Sequence, residues 1–485
     1  MRIALSLLAM LSLSAAQADD VDELVRVILE DTTVIEDLQE LTDTIGGRPT
    51  GSDANRKAVD WAADKFREEE IAFTKEDFTM PFSWSENSVS ATVTGGDLDL
   101  ELNVLSKAFS TGVDALEAPL LDGGTGSEAD FERLGDTASG AWLLIETPVL
   151  DDKIGLAGLF GEFGLARDVD ARALKVGAAG IIYMSSRPKN LVYRLPASRF
   201  AGNRQAILVM EREHALRLQR LLRTGHELAM TATIDVDAGD PYTATNVIAE
   251  IPGTTRPDEI VLFGAHLDSW GLGTGALDNG VNVAMLMNIA RQITRLGLKP
   301  ERTIRFALWN GEEQGLVGSW KYIEQHADEL DNFIVGASFD IGSGRTNGFF
   351  TGGRPELPPL IDTYLEPVAE LGPFQQIDIP LVGTDNYDFM VQGIPNLIAA
   401  QSDANYASNY HAESDTFEKV DQAQVRLNSA IAAAVIWGFA NDTDRLPRQT
   451  RAEIWKLINS TDLETQMRTF AVWDAWVKGE RGRND

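Results

Sequence analysis

Cysteine is absent from the 485 residues, so no disulfide can brace the chain and no thiolate can hold a metal. Histidine is scarce, with five, and any histidine beside carboxylates therefore carries weight. Basic residues are short as well: 42 Lys and Arg stand against 74 Asp and Glu, a formal net charge of -32 at pH 7. Such a surface repels phosphate, which argues against nucleic acid or an anionic membrane as partner. Solubility is the simplest use of the acidity, and a wall that draws cations or free amines is the sharper one. Beyond residue 18 no uninterrupted apolar run approaches the roughly twenty residues of a membrane-spanning helix. Internal repeats and low-complexity stretches are also missing.

The chain does hold 44% hydrophobic residues, enough for one large core or several ordinary ones. Its start reads as a secretory signal: Arg2, an apolar run from Ile3 to Leu13, and Ala16-Gln17-Ala18 before Asp19. The mature chain is expected to begin near Asp19, secreted or periplasmic, with no membrane anchor. Val21 to Asp43 has helical spacing, and Gly46 to Ser52 breaks it. Asp53 is placed to cap a second helix with the apolar stripe Ala58, Val59, Trp61, Ala62 and Phe66. From Thr74 to Asn103 looser alternation predicts strands. Residues 105–240 have a different texture, with glycine-rich turns and short buried strands, and read as an inserted β-rich unit. His214 and His226 fall there and are expected to be surface or structural. From Thr243 onward strand and helix candidates alternate, predicting an α/β, helix-flanked, mostly parallel mixed sheet. Residues 19–104 and 241–445 would form this discontinuous domain, and 446–485 a helical tail.

Ligands in such sheets bind beyond the carboxyl ends of the strands. His266 follows the strand candidate Ile260 to Gly264. Asp278 lies in the glycine-framed loop Gly275-Ala276-Leu277-Asp278-Asn279-Gly280. Glu312 and Glu313 follow the strand candidate Ile304 to Leu308 and are expected to open a helix. Asp340 ends Phe333 to Phe339, and His411 lies in the polar loop after Pro395 to Ala400. Each feature alone is weak; a Glu-Glu pair, for instance, is commonly a solvated helix cap. Without metal their convergence would cost several kcal/mol, roughly the scale of unpaired buried charge. Two imidazoles and three carboxylates suit two borderline metal ions that share a carboxylate. Zinc is expected, and ligand type also admits cobalt or manganese.

These ordered motifs resemble the co-catalytic zinc aminopeptidase family, and within it the carboxypeptidase Q-like branch. The match runs through His266-Leu267-Asp268-Ser269-Trp270, Gly275 to Gly280, Trp309 to Gly315 and Tyr410-His411 with Asp415-Thr416. Ile45 to Ser52 resembles the family's N-terminal segment, and the inserted unit a protease-associated domain. The resemblance implies the zinc exopeptidase fold, with one zinc on His266, Asp278 and Asp340 and a second on Asp278, Glu313 and His411. Glu312 would be the general base, taking a proton from the attacking water and passing it to the leaving amine. Asp268 would hold the ring of His266, and Asp415 would serve the last loop in the same way. Thr384-Asp385-Asn386 departs from the Ser-Asp-His of many relatives, and Ala412-Glu413-Ser414 separates the last histidine from Asp415. Tyr410 and Tyr387 are candidates to face the oxyanion.

The activity implied is hydrolysis of dipeptides or short peptides from a free end. A broad aminopeptidase is the alternative, glutaminyl cyclisation a more distant one, and an inactive scaffold that binds a partner the non-enzyme reading. Full ligand sets and an intact Glu312 argue against the last. A peptide is the expected partner, and a homodimer is admitted.

Overall fold

The structure is a computed structural model that describes residues 19–153, 155–197, 204–402 and 404–484. The expected signal, 1–18, lies outside the described residues. Among the described residues fifteen strands form two mixed sheets. In chain order they are β1 Ala72–Met80, β2 Ser83–Gly95, β3 Leu98–Leu102, β4 Val104–Ser106, β5 Val113–Asp122, β6 Trp142–Ile145, β7 Gly180–Met184, β8 Ala206–Met210, β9 Leu228–Gly239, β10 Tyr242–Ile251, β11 Arg256–His266, β12 Arg302–Trp309, β13 Phe333–Ser338, β14 Thr346–Phe350 and β15 Asn396–Gln401.

The first sheet has the order β1-β10-β12-β11-β13-β15-β14. Its central strands β12, β11, β13 and β15 are parallel, with antiparallel strands at both edges. The parallel strands are apolar on both faces: Val261, Leu262 and Phe263 in β11 are all buried, because helices cover both sides. One cover is Val281–Arg295, buried from Val281 to Ile293. Another is Gln422–Asn441, whose Asp421 cap accepts from the Gln424 amide. The helix Asp53–Glu68 also packs here through Ala58, Val59, Trp61, Ala62 and Phe66. Its cap is Ser52, which accepts from the Asn55 amide, and not Asp53. Asp53 is the first helical residue, where its charge still meets the positive end of the dipole.

The second sheet runs β3-β2-β9-β5-β6-β7-β8-β4. Its strands β5 to β8 are parallel, and the helices Gly155–Val176 and Arg212–Arg223 accompany them, so it is an α/β layer and more than a β-rich unit. It also begins earlier than residue 105, because β2, β3 and β4 pair within it. The boundary is hard to see in sequence because one ribbon crosses it. Met80 pairs with Tyr242 in the first sheet, and Ser83 pairs with Gly239 in the second.

The tail forms three helices, Arg451–Ser460, Leu463–Thr469 and Trp473–Lys478. Ile454, Ile458, Met467 and Trp476 bury themselves against Val382, Tyr387 and Met390 of the body. No described helix is long and apolar enough to cross a membrane.

Candidate metal centre

His266 is the last residue of β11. Its Nδ1 lies 2.9 Å from the carbonyl oxygen of Asp268. A carbonyl only accepts, so Nδ1 carries a hydrogen and the neutral ring keeps a bare lone pair on Nε2. That Nε2 lies 3.1 Å from Asp278 Oδ1 and 3.0 Å from Asp340 Oδ1. The Asp268 carboxylate was expected to hold the ring, but it is 3.6 Å away. Its Oδ2 instead accepts from Thr50 Oγ1 at 2.7 Å, and Thr50 Oγ1 in turn accepts from the Gly311 amide at 2.8 Å.

His411 repeats the arrangement. Its Nδ1 donates to the carbonyl of Arg194 at 2.9 Å, and its Nε2 faces Asp278 Oδ2 at 3.1 Å and Glu313 Oε2 at 3.0 Å. Asp278 thus presents one oxygen to each histidine. Asp415 does not hold the ring of His411 as expected. It accepts from the amides of Leu277 and Asp278 at 2.6 and 3.1 Å, fixing the loop that carries the shared carboxylate.

Glu312 and Glu313 stand in a turn, since the helix starts only at Val317. Positive φ at Gly311, Gly315 and Leu316 keeps the segment from being helical. Glu313 is buried and turned to His411. Glu312 is part-exposed and lines a pocket with Asp278 and Asp340.

One residue of the centre had no clear sequence signal. Arg48, fully buried, donates to the carbonyls of Leu267, Thr274 and Gly275, clamping the His266 and Asp278 loops together. Gly275 has φ +62°, and a Cβ there would meet Ser269 at 2.4 Å, so only glycine lets these loops close. Of the tyrosines, Tyr410 lines the pocket and stacks on His411 at 3.6 Å. Tyr387 is buried in the core beside Val382 and Met390. His214 and His226 stay within the second sheet's unit, near Glu211 and the Leu221 carbonyl.

Protons are poorly placed here without a metal. Burial pushes Glu313 up to about 7, with Asp278 adding and His411 opposing. Burial likewise raises Asp385 to about 8, helped by Asp340 and Asp268. Burial also raises Asp340 and carries Glu312 well above the usual carboxylate range. Burial works against the charged form of His411, yet Glu313 and Asp278 hold its proton up to about 9.

The donor set fits divalent cations. Asp278 Oδ2, Glu313 Oε1 and His411 Nε2 are buried without a hydrogen-bond partner, and ligand atoms of His266, Asp278 and Glu313 lie within 4.8 Å of one another. Two ligand atoms about 2.0–2.2 Å from one tetrahedral zinc stand about 3.3–3.6 Å apart, close to the spacings of 3.0 and 3.1 Å around the two histidines. His266 and Asp340 would serve one zinc, His411 and Glu313 the other, and Asp278 both.

A parallel sheet with two adjoining sets of imidazole and carboxylate at its strand ends defines a two-metal hydrolase. Residues 246–436 match the model of Peptidase family M28. The chain is 27% identical over 422 residues to carboxypeptidase Q of Xenopus laevis, covering 84% of this chain and 85% of the relative. It is 26% identical over 440 residues to the probable lipoprotein aminopeptidase LpqL of Mycobacterium tuberculosis, covering 82% and 81%. Among solved structures, a Peptidase M28 precursor from Shewanella amazonensis superposes with a TM-score of 0.82 at 26% identity, covering 89% of this chain and 98% of that one. A zinc aminopeptidase from Bacillus subtilis shares the fold at a TM-score of 0.64 and 20% identity, covering 86% and 96%. The chain is a zinc metallopeptidase of the exopeptidase kind with two zinc ions as cofactor.

Proposed function

We propose that this exopeptidase trims short peptides, dipeptides included, next to an apolar side chain, with Glu312 as general base. The observation that carries this is the position of Glu312: it shares the pocket with Asp278 and Asp340 while Glu313 is turned to His411. Burial, with Asp340 and Glu313 adding to it, raises its proton affinity, and His266 opposes them. A carboxylate tuned in this direction can take a proton from water and return it to a leaving amine. Zinc, when bound, polarises the scissile carbonyl and lowers the pKa of water. Apolar residues, Phe160, Phe163, Ile341, Ile398 and Phe470 among them, make up most of the rest of the pocket's lining, which supports an apolar side chain beside the bond that is cut.

A broad aminopeptidase is the second reading, and one observation favours it. No described residue lining the pocket is Lys or Arg, so no described side chain there would pair with a peptide's terminal carboxylate. We further propose that residues 1–18 are a secretory signal and that the enzyme works outside the cytoplasm, a reading supported by the lipoprotein relative. The second sheet's unit, placed between β1 and β10, would be of the protease-associated type.

Glu312→Gln is the direct test. The expected outcome is a loss of about 10²–10⁴ in kcat with zinc content unchanged by elemental analysis; undiminished hydrolysis would remove Glu312 as the base. Comparing a free dipeptide with its C-terminal amide separates the two readings, because an aminopeptidase is indifferent to the amide.

A further inference from the structure

The loop bearing His411 is held largely from the other sheet. Arg194 exchanges two hydrogen bonds with His411: its carbonyl accepts from Nδ1 at 2.9 Å, and its amide donates to the His411 carbonyl at 3.0 Å. The neighbouring Tyr193 and Ala412 form an antiparallel bridge. One residue earlier on the ligand loop, the Tyr410 carbonyl accepts from Arg187 Nε at 2.8 Å. Arg187 follows β7 and is fully buried. Its Nη1 donates to Glu162 at 3.0 Å and to Ser186 Oγ at 2.7 Å, and its guanidinium lies 3.9 Å from the centre of the Tyr193 ring. The Tyr193 hydroxyl closes the cluster by donating to Glu162. Arg187 therefore ties the segment carrying Arg194 to the segment carrying His411. His411 itself sits at φ +59°, a conformation a non-glycine residue keeps only when its surroundings enforce it.

We propose that Arg187, backed by Glu162, is a positioning residue for the second zinc: through Tyr410 and Arg194 it keeps His411 in its ligating pose, so that one of the two zinc sites depends on the second sheet. His266 has no such dependence, because its ring is held by Asp268, two residues away on its own strand's exit. The inference rests on the two-zinc assignment and not on the choice of peptide substrate. Replacing an outer partner of a metal-bound histidine typically weakens metal affinity by about 10–100-fold.

The test is stepwise zinc affinity of the full chain by competition with a chromophoric chelator, with circular dichroism of the metal-free protein as the folding control. Arg187→Lys keeps a cation for Glu162 but cannot span Tyr410 and Glu162 together. The expected result is one zinc weakened about tenfold or more and the other changed less than about twofold, with the effect vanishing in a His411→Ala background as coupled residues require. Equal weakening of both sites, no weakening, or full additivity with His411→Ala would overturn the proposal. Should Arg187→Lys fail to fold, the double variant Arg187→Met with Glu162→Gln, which leaves no buried charge unpaired, is put through the same measurements and judged by the same outcomes. A wild-type protein that binds two zinc ions yet cleaves no peptide would sink the substrate reading and leave this one standing.

Discussion

Both sheets hold four parallel strands and set carboxylates near their carboxyl ends, yet among the described residues only one of them gathers a metal site. In the second sheet Asp122 ends β5 and Glu146 follows β6, and Arg223 reaches both, at 2.7 and 3.5 Å. Gln219 donates to Glu146 as well. In the first sheet no described Lys or Arg forms an ion pair with Asp278, Asp340 or Glu313. Their close partners are imidazoles, and Arg48, a buried guanidinium beside the His266 and Asp278 loops, spends its donors on carbonyls. Strand-end geometry is thus common to both sheets, and what separates them is the source of positive charge. Where an arginine supplies it, the carboxylates are closed off; where none does, a metal ion is needed.

Three substitutions or conditions break or sharpen this contrast. The largest effect is expected from Asp278→Asn, which removes the shared carboxylate: zinc content by elemental analysis should fall from two ions per chain to less than one, and hydrolysis with it. Retention of both ions would show that Asp278 is no bridge. Next comes pH. Glu313 is held up to about 7 and His411 up to about 9 in the metal-free protein, and zinc binds only their deprotonated forms. Below these values protons compete, so calorimetric zinc affinity should fall as pH drops from 8 to 6, by about tenfold per unit for each proton displaced. The smallest effect belongs to Arg223→Ala in the second sheet. Arg223 is more than half exposed, and losing its pairs should cost no more than about 1 kcal/mol in denaturant titration. Zinc content should stay at two, because the pairs of Arg223 are Asp122 and Glu146 of the second sheet and none of the zinc-holding residues.

Much of the centre was legible from residue identity. Histidine and carboxylate at the ends of apolar runs are visible in one dimension, and His266, Asp278, Glu313, Asp340 and His411 do converge. Contacts made by backbone are not visible in this way. Nothing in the sequence marks the Arg194 carbonyl as the partner of His411, because every residue has a carbonyl. The same holds for Asp268, whose main chain and not its side chain meets His266, and for Asp415, whose partners are two amides. Arg48 stood in a loop motif with no pattern to separate a buried clamp from a surface charge. The turn at Glu312 and Glu313 passed for a helix start, since positive φ at Leu316 leaves no mark in composition. The early start of the second sheet was hidden because alternation in β1 continues into β2.

That continuous ribbon has a consequence for assembly of the chain. Once β2 and β9 pair, Met80 and Tyr242 are delivered side by side, so β1 and β10 can meet as the arms of a hairpin do. A single closure of the long intervening loop, whose entropy grows only as about (3/2)RT ln n, then serves both sheets.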